Sequence, residues 1–345
     1  MMRRMCYVQN SRVLLLLVVG SLLAGCGGGQ TGPDSNTQVF QTAEQAAAAR
    51  KEKLLLDWQE MAARIANGER PDIRTSKAQG FALHMSADGV EQDLDLTPIS
   101  EKLMSALGKE RDPIRAYLAE KFPAFDRARL EKIGFERARP LLYPYLANTK
   151  QTSSLAGLDT THPPIVNPVV LDLNWVPVVR WPGTSAQTAI DSQLAADWKV
   201  TDEQVNGAAM ANLRKTFADR TQSPFDTIDL PGMGRYGSLR SDVDPTILLL
   251  PDFVAAVRKE WKSDSDLVIS LPSRTTVNFL ERKNEKLLNR MIPEWTRLAT
   301  VAPEPMLSTM LLAGDKGLSL LNYAPPSTQP ASKPATQPKK VHIVQ

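Results

Sequence analysis

The 345-residue chain carries 41 Lys and Arg against 38 Asp and Glu, a formal net charge of +3, with only 2 Cys and 3 His. Arg3, Arg4 and Arg12 hold all of that excess, so the chain after position 25 has 38 basic residues (41 less those three) against 38 acidic ones. A neutral body lacks the basic footprint of a nucleic-acid or anionic-lipid binder, and two cysteines are too few for a disulfide scaffold.

The three arginines form a basic n-region ahead of an apolar run from Val13 to Leu23, closed by Ala24-Gly25-Cys26. The run is shorter than the roughly 20 apolar residues a bilayer span requires. Basic start, apolar core and small residues together read as a secretory signal over 1–25. Leu23-Ala24-Gly25-Cys26 resembles the lipobox of bacterial lipoproteins. That resemblance implies cleavage before Cys26, lipid on its sulfur, and attachment to a membrane of the cell envelope outside the cytoplasm. An uncleaved anchor and a secreted protein with an incidental cysteine are the alternatives. Gly27 stands where an aspartate would retain a lipoprotein in many inner membranes, which points to the outer membrane in an organism that has one. Cys6 leaves with the leader and Cys26 is consumed by lipid, so thiol catalysis, CxxC redox chemistry and thiolate zinc sites are excluded.

A Gly-rich, polar stretch over 26–39 reads as a flexible tether. A helix follows over 40–70, with Leu54, Trp58, Met61, Ala62 and Ile65 on one face, packed on the domain or alternatively lying on a membrane. Phe81–Met85 and Val90–Leu96 around Asp88-Gly89 predict a hairpin. Thr97-Pro98 and Asp112-Pro113 open two helices, the first turning Ile99, Leu103 and Leu107 inward, the second closing at Pro123. Val169–Leu173 and Trp175–Trp181 form a strand pair. Thr201-Asp202-Glu203-Gln204 is a capping box that starts a helix bearing Val205, Ala208, Ala209, Leu213 and Phe217. Thr246–Leu250 is an apolar run before Pro251 and a helix over Phe253–Trp261. Asp266–Leu271 is a buried-type strand, followed after Pro272-Ser273-Arg274 by a second strand over Thr275–Leu280. A helix over Glu285–Leu298 and a hairpin around Gly314–Gly317 complete the body. The Pro-rich tail, 324–345, is expected to be disordered. Helices and strands mix without βαβ alternation, which predicts an α+β fold of antiparallel or mixed sheets packed with helices. The main region spans 80–323, as one domain or as two subdomains over about 80–135 and 139–323.

The order of these elements resembles the YtpQ-like bacterial proteins, a domain family of unknown function. The resemblance rests on Ala209-Met210-Ala211-Asn212-Leu213, on Ile247 to Phe253, which it implies to be an Ile-Leu strand leading into a helix, and on Leu271-Pro272-Ser273-Arg274-Thr275. Thr275 stands where an acid commonly follows the arginine in that family. The family implies a fold grouping and no reaction.

No catalytic set stands out. His84, His162 and His342 fall in a strand, a Pro-rich loop and the tail, with no HExxH, GxSxG or SxxK motif. Pro231–Gly237 is a Gly-rich hairpin tip rather than a phosphate loop. Asp242-Val243-Asp244 and Ser263–Asp266 lack the spacing of a calcium loop. No metal or cofactor is expected. Arg274 and Asn212 are the candidate ligand-binding residues. Arg274 could clamp a carboxylate or phosphate, and Asn212, beside an apolar stripe, needs partners if buried. Structural satisfaction is the competing role for both. The leading expectation is a non-enzymatic envelope lipoprotein that binds a protein or another envelope component. The alternatives are a hydrolase-like enzyme with a site near Arg274, and a scaffold using the Pro-rich tail.

Overall fold

A computed structural model of the chain describes residues 35–155 and 162–322. The signal segment, Cys26, the first part of the tether and the tail from 324 lie outside the described residues. The chain divides into two units, 1–53 and 54–345. In the first, the described residues belong to helix α1 (Ser35–Glu69), and its side chains over Glu44–Lys53 are exposed. The helix begins five residues before position 40, so the end of the expected tether is helical. Pro33 is the last breaker before it.

The second unit is α+β, and every strand pair in it is antiparallel. It opens with the second half of α1, which buries Trp58, Ala62, Ile65 and Ala66. A three-stranded sheet follows, of β1 (Arg74–Lys77), β2 (Ala82–Ala87) and β3 (Val90–Asp95) in that order. Asp88 and Gly89 take positive φ values of 52° and 79°, the two-residue turn their sequence predicts. The strand β1 is not legible in Arg-Thr-Ser-Lys, which is mostly exposed. Gln59 reaches into this region from α1, its Nε2 donating to the Ala78 and Ala82 carbonyls.

A 3-10 turn at Thr97–Ile99 leads into α2 (Ser100–Ser105), and α3 (Arg111–Ala138) follows. Thr97 does not cap through its side chain; Asp95 accepts from the Thr97 N–H instead. Ile99 and Leu103 point inward as expected, but α2 ends before Leu107, which is 61 % exposed. Pro123 does not close α3. It lies on the exposed side, where the Ala119 carbonyl it leaves without a donor is open to water. The helix continues to Gly134, whose φ of 69° and ψ of 174° break it. This extension lets α3 serve two cores. Ile114, Leu118 and Phe125 pack with α1 and the first sheet, and Leu130 packs with the middle of the chain.

That middle is built on β4 (Leu142–Asn148), with α4 (Thr149–Leu155), β5 (Asn167–Val170), β6 (Leu173–Arg180), β7 (Gln187–Ala189), α5 (Ser192–Asp197) and α6 (Asp202–Ala218). The strand β6 pairs with β4 on one edge, and with β5 and β7 on the other. The capping box forms: Thr201 Oγ1 accepts from the Gln204 N–H, and Gln204 Oε1 accepts from the Thr201 N–H. Val205, Ala208, Ala209 and Leu213 are buried beneath it.

The last part is a six-stranded sheet, β13-β12-β10-β11-β9-β8. Its strands are β8 (Phe225–Leu230), β9 (Gly234–Leu239), β10 (Leu267–Ser273), β11 (Thr276–Glu281), β12 (Leu311–Gly314) and β13 (Gly317–Leu320). Helices α7 (Pro251–Trp261) and α8 (Glu285–Val301) cover opposite faces. Covered on both sides, β10 is buried from Leu267 to Pro272 and reads as one apolar run. Leu267, Ile269 and Leu271 face Phe253 and Val257 of α7, and Val268 faces Leu287, Leu288 and Trp295 of α8. The Gly-rich stretch from Pro231 turns between β8 and β9. Thr246–Leu250 is not a strand. Pro245–Leu249 is a 3-10 turn, because the Asp244 carboxylate accepts from the Thr246 N–H and winds the chain there.

Candidate binding cavity and ion network

Arg274 and Asn212 do not converge on a pocket; they meet along one strand. Pro144 of β4 faces Pro177 of β6, and neither has an N–H to give. That pair is therefore not hydrogen bonded, and the alternation turns the Leu142, Pro144 and Leu146 carbonyls toward the unpaired edge of β4. Asn212 Nδ2 donates to Leu142 O at 2.8 Å and to Arg139 O at 2.7 Å. Arg274 Nη1 donates to Leu146 O at 2.5 Å, and its Nη2 reaches Asp244 Oδ2 at 2.9 Å. Both residues thus donate to backbone carbonyls of an edge strand or of the turn that leads into it.

The other aspartates singled out in the sequence are held by basic side chains. Asp242 accepts from Arg220 and Arg240, Asp266 from Arg258, and Asp264 lies 3.7 Å from Lys283 Nζ. His84 Nδ1 lies 2.7 Å from Asp93 across the first hairpin.

A second constellation is larger, and no motif in the sequence marks it. The turn after α1 places Arg70 and Asp72 beside α3, which brings Asp126 and Arg129. Arg70 donates to both oxygens of Asp126, at 2.8 and 2.7 Å, and to both of Asp72, at 2.9 and 2.8 Å. Arg129 donates to Asp72 at 2.6 Å, to Asp126 at 3.3 Å and to Asp88 at 2.7 and 3.0 Å, and its guanidinium lies 3.6 Å from the centre of the Trp181 ring. Thr188 of β7 donates to Asp126 and accepts from Trp181 Nε1. Arg70, Asp126 and Arg129 are each less than 5 % exposed.

Buried charge survives only when it is paired and hydrogen bonded, and here each group has several partners. Burial disfavours charge on Arg70, but the hydrogen bonds and negative charge of Asp72 and Asp126 hold it well above the usual guanidinium range. Burial likewise pushes the Asp72 carboxyl up. Hydrogen bonds from Arg70 and Arg129 overcome it and leave the carboxyl below the usual carboxylate range.

The signal for this network was an arginine on an apolar stripe. Ile114, Leu118, Phe122, Phe125 and Arg129 follow helical spacing, but only if α3 is carried through Pro123.

Three cavities border the network. One of about 440 Å³ includes Arg70, Phe122 and Gly183, and one of about 360 Å³ includes Asp72, Asp88, Arg129 and Trp181. The largest of the three, about 820 Å³, runs along α3 between β7 and α5. Arg70 and Asp126 contribute to its wall, Phe122, Leu130 and Leu194 are among its apolar residues, and His162 is at its border. Arg127 also lines it, paired with Asp191 and with Glu131. The chain therefore sets an apolar recess against charges already fixed by one another.

Among the described residues no group of three or more His, Cys, Asp or Glu could hold a metal ion, and no helix is long and apolar enough to cross a membrane. No protein-family model, curated protein or solved structure matches the chain.

Proposed function

We propose that the chain is a bacterial envelope lipoprotein, processed before Cys26, whose α+β unit is a binding module with its ligand seat in the cavity along α3. The observation that carries the binding reading is that cavity. Its volume of about 820 Å³ falls within the range of small-ligand sites, and its wall combines apolar side chains with a few fixed polar groups. Arg70 and Asp126 are already ordered by their partners, so a ligand there does not have to organise them. The lipid anchor rests on the lipobox-like segment, and the grouping with the YtpQ-like proteins rests on sequence motifs alone. An envelope protein remains the expected partner class, approached from a membrane-held position.

Two measurements test the proposal. Labelling cells with an alkyne analogue of palmitate should mark the full chain and not Cys26→Ser; an unlabelled wild type, or a labelled variant, overturns the anchor. The apolar dye 1-anilinonaphthalene-8-sulfonate should bind the folded protein saturably. Ala128→Trp, which fills the cavity wall from α3, should weaken that binding while leaving cooperative unfolding intact. Unchanged dye binding in that variant removes the cavity as the seat.

A further inference from the structure

The turn before the 3-10 segment gathers four arginines on two aspartates: Arg220 and Arg240 on Asp242, and Arg180 and Arg274 on Asp244. The second pair has an unusual arrangement. Tyr143 and Tyr145 are two residues apart on β4 and so present their rings on the same face. The Arg180 guanidinium lies 4.7 Å from the centre of the Tyr143 ring, and that of Arg274 lies 3.5 Å from the centre of Tyr145. Both donate to a single oxygen, Asp244 Oδ2, at 2.7 and 2.9 Å. The other oxygen of Asp244 is taken by the backbone and hydroxyl of Thr246.

One carboxylate therefore answers two guanidiniums, each offering five N–H donors. Arg180 spends one donor on Asp244, and its Nε–H is buried without a partner. The side chains of Arg180 and Arg274 are 32 % and 21 % exposed, so each is reached by solvent in part. Stacking on tyrosine holds planar guanidiniums in fixed orientation, which is how arginine recognises carboxylate and phosphate groups. Asp242, with Arg220 and Arg240, adds no negative excess beside it.

We infer that Arg180 and Arg274, racked on Tyr143 and Tyr145, form a seat for an oxyanion, the phosphate or carboxylate group of a small ligand or of a lipid headgroup. This surface is separate from the cavity along α3, and its test does not depend on that cavity being occupied. The residues belong to β4, β6 and the loops that join the large sheet, elements already held together by the Leu146 and Asp244 contacts. The seat is thus preformed.

The test is calorimetric titration of the processed chain, 26–345, carrying Cys26→Ser so that it bears no lipid, with inorganic phosphate and with acetate at constant ionic strength, chloride being the balancing ion. Co-sedimentation of the same protein with phosphatidylglycerol vesicles, against phosphatidylcholine, runs alongside it. Saturable binding of either free anion is expected, and Arg180→Gln should weaken it about tenfold or more, since a hydrogen bond to a charged group is lost. Arg180→Gln keeps a long polar side chain at a partly exposed site, and a cooperative melt checks its fold. Asp244→Asn provides a reading of opposite sign. Removing the competing carboxylate should tighten anion binding at some cost in stability, whereas a purely structural pair predicts the same loss of stability with no gain in binding. Sedimentation with anionic vesicles alone, abolished by Arg180→Gln, assigns the oxyanion to a headgroup. Absence of binding in every arm, or binding unaffected by Arg180→Gln, overturns the inference.

Discussion

Replacing Asp126 with alanine would strip four contacts from one buried carboxylate: two from Arg70 at 2.8 and 2.7 Å, one from Arg129 at 3.3 Å and one from Thr188 at 3.2 Å. Asp72 still holds both arginines and Asp88 still holds Arg129, so the loss falls on Arg70, left to share one carboxylate inside a site less than 5 % exposed. Breaking a buried pair on one side costs about 3–5 kcal/mol, because an uncompensated charge stays behind. At roughly 2.1 cal/mol/K of unfolding entropy per residue, that lowers the midpoint of a unit this size by about 5–8 °C. Urea unfolding followed by circular dichroism should show a lower midpoint with an unchanged slope. The double variant Arg70→Met with Asp126→Leu removes the pair rather than half of it. It should recover much of the loss, so the two sites should couple strongly in a double-mutant cycle. A loss below about 1 kcal/mol for Asp126→Ala would mean the carboxylate is solvated through the neighbouring cavities, and the reasoning about buried charge would fail.

Two glycines should respond with opposite signs. A Cβ on Gly237 of β9 would lie 2.3 Å from Phe279, a ring packed against Phe225, Phe253 and Trp261, so Gly237→Ala should cost about 1–3 kcal/mol in thermal unfolding. Gly207 is helical with open space around its Cβ position, and Gly207→Ala should stabilise by about 0.5–1 kcal/mol. Acid should destabilise the fold through Asp72 and Asp244. Burial raises each carboxyl, but neighbouring arginines overcome it and lower both below the usual range. Their stabilisation is therefore complete above the ordinary carboxylate value near pH 4 and is lost as pH falls through the lower folded value. The melting temperature should drop below about pH 4, and Asp244→Asn should show a lower plateau with a shallower acid decline. A decline as steep as the wild type's would remove Asp244 from the acid response.

Local chemistry was legible wherever a backbone requirement and a residue type coincide within a few positions. Asp88-Gly89 supplies the two positive φ values of its hairpin, Thr201 and Gln204 close a capping box, and the apolar run at Leu267 announces a strand covered on both faces. Errors arose where a local rule met a tertiary alternative. Pro123 normally ends a helix, but on an exposed face its lost hydrogen bond goes to water, and the apolar stripe carries α3 onward. Thr246–Leu250 has strand composition, yet the Asp244 side chain winds it into a 3-10 turn.

Arg274 and Asn212 were recognised as polar residues in apolar settings, but a single residue cannot reveal which acceptor it will find. Their partners lie at Leu146, Asp244, Leu142 and Arg139, between 30 and 128 positions away. The sequence by itself determined the α+β composition, the main turns and caps, and the amphipathic faces, because each depends on a period or spacing of a few residues. Tertiary structure alone decided that Arg70 and Asp126, 56 positions apart, would form a buried pair at the wall of a cavity. It also decided that Arg180 and Arg274 would share one carboxylate oxygen. Electrostatic partners are chosen by distance in space and by the water excluded around them, and neither quantity exists until the cores on both sides of α3 have closed.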